Sequence, residues 1–198
     1  MITPNREYRS FDFETSEMRV TGKPVIFNSP QVMYEIDGVQ YKEQIDAGAF
    51  DGAKMDDVVL NVDHGGKPAA KTRNGTLKLE VRNDAVYIDA DLSKNATGRE
   101  LHEDIENGFY DKMSFAFTVS KDHYDKETRT RTIQKIDRLF DVSAVTFPAY
   151  EQTTISARSF FEAEAERERA EALLREQRKH IQEQQAKISE VLSNGKNT

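Results

Sequence analysis

Two periodicities divide this chain. Through roughly its first 150 residues, apolar positions recur every second residue or in short runs, the pattern of strands with one or two buried faces. Thr76-Leu-Lys-Leu-Glu-Val81 alternates strictly, and so, after a turn at Asn83-Asp84, does Ala85-Val-Tyr-Ile-Asp-Ala-Asp-Leu92. The pair predicts a hairpin. A second is predicted where Val32–Ile36 and Val39–Ile45 flank Asp37-Gly38, because Asp-Gly suits a type I′ turn. Arg19–Phe27 reads as a strand interrupted at Gly22-Lys-Pro24 and ended by Asn28-Ser-Pro30. A short helical turn is expected at Ala47–Phe50, and Asp57–Val62 is a short apolar run of strand type. Met113–Val119, Arg131–Ile136 and Phe140–Thr146 complete the strands, with a polar turn over Asp122–Thr128.

One stretch of this body has a helical period. Within Ser93–Gly108, Leu101 and Ile105 stand four apart; Asn95 or Thr97 can cap the start, Glu100 follows Thr97 as in a capping box, and Gly108 closes the end. Many strands, few helices and regular turns predict an α+β fold with a barrel-like sheet core. From Phe160 onward the chain is rich in helix formers, with neither Gly nor Pro before Gly195. Leu174, Ile181 and Ile188 recur every seven residues, with Gln177, Gln184 or Gln185, and Val191 or Leu192 on the complementary seam. A coiled coil wants two apolar positions per heptad, so self-association through this helix should be weak, and a solvated single helix is the equal alternative. The expected domains are residues 1–158, the body, and 159–198, a charged helical tail.

Charge sharpens that division. Of 35 acidic and 28 basic residues, 8 and 7 fall in Ser159–Thr198, which leaves the body with 27 and 21, net −6. An acidic body argues against nucleic-acid binding, which wants a basic face. The absence of cysteine removes disulfides, thiolate catalysis and zinc–thiolate sites. The first residues carry no apolar signal region, and no apolar run approaches membrane-spanning length. The expectation is a soluble protein inside the cell, with no membrane partner.

Candidate chemistry gathers in three segments. Asn61-Val-Asp-His64-Gly-Gly66 offers a histidine, Lys112-Met-Ser114-Phe-Ala-Phe117 a serine, and Leu139-Phe-Asp141-Val-Ser143-Ala an acid within an apolar run. A hydroxyl, a base to take its proton and a group to orient the base are the parts of a serine hydrolase. No G-x-S-x-G elbow accompanies the serine, so an α/β-hydrolase is not indicated. Of the four histidines, His180 lies in the tail, His123 in a polar turn, and His102 beside acids on the predicted helix, where exposure is expected. His64 alone ends an apolar strand. Phe115 and Phe117 can fill a core face while Ser114 and Ala116 point the other way. Asp141 needs a partner, since acids are depleted in strands; Ser143, on its face, can join the same network. Asp63, as the neighbour of His64, should point to the opposite side. On the residues alone, a loop histidine and a half-buried strand serine stay open, as does a divalent-metal site of His64, Asp63 and Asp141. No zinc-protease, EF-hand or phosphate-loop motif supports the metal or phosphate readings.

Taken in order, the segments resemble the tailed-phage prohead (capsid maturation) proteases of the HK97 type, relatives in fold of the herpesvirus assemblin protease. The matching stretches are Gly22–Phe27, Gly48–Phe50, Val58–His64, Gly75–Leu79, Met113–Phe117 and the acid-Val-Ser-x-Val-x-x-Pro-Ala run Asp141–Ala149, together spanning about residues 17–158. The resemblance implies His64 as general base, Ser114 as nucleophile and Asp141, where the family commonly has Glu, as the group that orients His64. It implies a serine endopeptidase that needs no cofactor and acts inside the immature shell on major capsid protein and scaffold segments, and on itself. The helical tail becomes a scaffold-like interaction segment or a cleavage target. A non-catalytic scaffolding module that binds coat protein through that tail is the alternative, and a metal-dependent hydrolase a more distant one.

Overall fold

A computed structural model describes the backbone of residues 7–146 and 155–194 and the side chains of residues 17–146 and 159–188. The chain divides into two compact units, residues 1–158 and 159–198. In the first, the strands are β1 (Glu7–Ser16), β2 (Arg19–Ile26), β3 (Gln31–Ile36), β4 (Val39–Ile45), β5 (Val59–Val62), β6 (Gly65–Lys71), β7 (Leu77–Val81), β8 (Ala85–Asp91), β9 (Lys112–Asp125) and β10 (Thr130–Val145), with helix α1 (Ala96–Glu106) between β8 and β9. The long helix α2 (Ile155–Asn194) follows.

The α+β class holds, but the sheet is open: its order is β3-β4-β10-β9-β1-β2-β8-β7, so β3 and β7 are edges and no barrel closes. Strand β10 is its spine. One side pairs with β9 throughout; the other pairs in parallel with β4 at Thr130–Ile133 and with β5 at Asp141–Ala144. The segments Arg131–Ile136 and Phe140–Thr146, expected as separate strands, are parts of this single one. Bulges between Ile133 and Asp141 break the alternation that would have shown their continuity. The polar turn expected over Asp122–Thr128 is shorter, because β9 runs on to Asp125 as a charged ribbon against β10. Strand β1 pairs with β9 through Glu7–Asp12 and then with β2 through Phe13–Ser16, so it passes from one half of the sheet to the other.

Val20, Val25, Leu60, Leu77, Val86, Leu101, Phe115, Phe117 and Val142 are all buried in one cluster, each side chain contributing about 1.5–3 kcal/mol. Helix α1 starts at Asn95, whose Oδ1 accepts from Gly98 N at 2.6 Å. Gly98, Leu101, His102 and Ile105 then share one face at helical spacing. His102 is therefore not exposed as expected but 5% accessible, with Nδ1 3.5 Å from Glu106 Oε2. Helix α2 is regular over its 40 residues and presents Leu173, Leu174, Ile181 and Ile188 to solvent.

Candidate active site

His64 sits in the two-residue turn that joins β5 to β6. Val62 pairs with Gly65, and Asp63 and His64 both take positive φ, 46° and 57°, as a type I′ hairpin requires. The sequence signal ended β5 at the histidine and did not show β6, since Gly65-Gly-Lys-Pro68 lacks apolar alternation. Main-chain pairing with β5 holds that strand instead. The turn is pinned to β10 and to the residue that follows it: Asp63 N donates to Ala144 O at 2.9 Å, and Asp63 Oδ1 accepts from Thr146 N at 3.2 Å. Asp63 is thus occupied with the backbone, and the imidazole is left to reach across the sheet.

Asp141 reaches its position through a bulge. Leu139 pairs with Phe117, but Asp141 pairs with Ala116, because Phe140 is an extra residue in β10. In an unbroken strand Asp141 would share the core face of Leu139 and Phe117. The inserted residue reverses the phase and turns the carboxylate onto the face of Ser114 and Ala116. There Asp141 is 3% exposed. Its Oδ1 accepts from His64 Nδ1–H at 2.6 Å and from Ser143 Oγ–H at 2.9 Å. A buried carboxylate needs such donors, since an unpaired one carries a heavy desolvation cost. The short side chain of Asp therefore reaches the imidazole directly, with no water between. With Nδ1 carrying the proton, the lone pair of His64 lies on Nε2, the form in which histidine can take up a proton.

Ser114 lies directly across from Ser143 in the β9–β10 ladder, so the two hydroxyls share a face with Asp141. Ser114 is 1% exposed, and its Oγ is buried with no hydrogen-bond partner. It makes no hydrogen bond to His64 here. The structure thus joins His64 and Ser143 through Asp141 and sets Ser114 across the ladder from Ser143. A buried hydroxyl left unpaired costs about 1–3 kcal/mol, a reason to look for its use in chemistry. Asn61, in parallel register with Ser143 on the same face, is a polar residue that sequence reasoning passed over. Its Oδ1 is likewise buried without a partner, and its one signal is an amide inside the apolar run Val58–Val62. No group of three or more His, Cys, Asp or Glu is arranged to hold a metal ion among the described residues.

An oriented imidazole, an anion behind it and a buried hydroxyl on one sheet face can together move a proton and form an ester. No match is found among curated proteins or solved structures. A family model described as caudovirus prohead serine protease matches residues 5–167. The chain belongs to that family, and is a serine protease with a role in phage capsid maturation.

Proposed function

We propose that this protease cuts coat-protein and scaffold segments inside the prohead with Ser114 as nucleophile, His64 as general base and acid, and Asp141 as the group that orients His64. Ser114 Oγ attacks the scissile carbonyl as its proton passes to His64 Nε2. His64 returns that proton to the leaving amine, an acyl-enzyme remains, and water activated by His64 hydrolyses it. No metal or organic cofactor enters this scheme. The observation that carries the reading is the His64–Asp141 hydrogen bond of 2.6 Å on the face that also bears Ser114.

The tail adds a second element. A helix of 40 residues with an exposed apolar row suits a segment that engages coat or scaffold protein and is itself cut near its junction with the body. Co-assembly of the chain with coat and scaffold protein, beside a Ser114→Ala version, tests both parts by intact mass over time. The expected result is shortening of coat or scaffold and of the wild-type chain, with the variant and its companions left whole. Equal processing in both samples removes Ser114 from the mechanism. Intact chains in both, with assembly unimpaired, favour the non-catalytic scaffolding role. Removal of residues 159–198 should leave peptidase activity in place and reduce incorporation into proheads.

A further inference from the structure

Ser143 is fully buried, at 0% exposure, between the core residues Val142 and Ala144. Its hydroxyl donates to the same oxygen, Asp141 Oδ1, that receives His64 Nδ1–H. A carboxylate on a single bond to Cβ can rotate, and one hydrogen bond from a loop histidine fixes it poorly. Two donors converging on one oxygen from different elements, the β5–β6 turn and β10 itself, determine its plane. Ser143 is also the cross-strand partner of Ser114, so it neighbours both the acid and the strand position of the hydroxyl on one sheet face. We infer that Ser143 is a positioning residue of this site: it locks Asp141 so that Oδ1 faces His64, and through Asp141 it sets the direction of the imidazole toward Ser114. The inference rests on the assignment of Ser114, His64 and Asp141 made above.

The test uses the full chain with two readouts. The first is the low-field proton resonance of His64 Nδ1–H, which reports the Asp141 contact whether or not the protein hydrolyses anything. The second is the rate at which a fluorophosphonate probe labels Ser114, followed by intact mass. Ser143→Ala should shift or broaden the Nδ1–H resonance. It should also slow labelling roughly 10- to 100-fold, as displacement of a catalytic group by about an ångström does, chiefly in the limiting rate rather than in the probe concentration at half-saturation. Ser143→Thr, which keeps the hydroxyl, should recover both. An unchanged resonance and a labelling rate within about twofold of the wild type would overturn the inference. So would equal loss in the Ala and Thr variants, because the hydroxyl would then not be what matters. If Ser143→Ala fails to fold, Ser143→Cys, of similar shape but a weaker donor, takes its place under the same criteria. Failure of the wild type to label at Ser114 defeats the assignment of Ser114 as nucleophile instead, and the resonance distinguishes the two failures.

Discussion

The β3–β4 and β5–β6 hairpins turn alike and are filled differently. Asp37 and Gly38 have φ of 52° and 77°; Asp63 and His64 have 46° and 57°. Gly38 is the residue such a turn favours, with no Cβ to strain. His64 takes the equivalent place at a cost of about 1 kcal/mol, and its ring meets Asp141. A third two-residue turn, at Glu17 and Met18, also lacks glycine. There Met18 packs against the core, and its carbonyl accepts from Leu92 N at 2.8 Å, so local packing offsets the strain. A residue that its own turn disfavours points to chemistry when its side chain is spent on a polar contact and not on packing.

The comparison breaks most visibly at His64. His64→Gly gives the second hairpin the Asp-Gly sequence of the first, and it should lower peptide hydrolysis by roughly 10²- to 10⁴-fold; retained hydrolysis would separate the turn from the chemistry. Glycine kept for contact is the next largest effect. A Cβ at Gly98 would lie 2.4 Å from Leu92 O and 3.1 Å from Ala69 O, so Gly98→Ala should cost roughly 1–3 kcal/mol in urea unfolding. Gly38 has nothing within 4 Å of such a Cβ, and Gly38→His should cost only the strain, about 1 kcal/mol, with hydrolysis unchanged. A cost near zero would mean that His64 sits in its turn without penalty.

The smallest effect concerns a turn whose polar residue is locally favoured. The carboxyl of Asp91 is held down to about 2, first by the Ser93 hydroxyl and then by the Ser93 backbone N–H and Lys94. Its folded value lies below the unfolded one, so its contribution is complete above about pH 4 and disappears as pH falls to about 2. The difference in thermal midpoint between the wild type and Asp91→Asn should narrow across that window. A constant difference would show that the charge is not what the turn uses.

Much of the fold was legible where one period ran unbroken. The β3–β4 and β7–β8 hairpins and α1 with its Asn95 cap follow the alternation and capping signals directly. What escaped was written in departures from period. The bulge at Phe140 hid the unity of β10 and the turning of Asp141. Strand β6 is held by main-chain pairing that its glycines and proline do not advertise, and His102 was read from its acidic neighbours when its helical spacing put it inside. For the site, the three segments could be named from their residues, but the direct reach of Asp141 and the register of Asn61 with Ser143 depend on strand order. The barrel-like core expected from the strands is an open sheet, because among the described residues β3 and β7 end the strand order and do not pair with each other.

The most direct test is to map the residue that carries a fluorophosphonate adduct after the wild-type chain has been allowed to react. The account predicts one adduct, on Ser114, absent from Ser114→Ala and strongly reduced in His64→Gly. An adduct on another serine, or active hydrolysis with Ser114 unmodified, would contradict it.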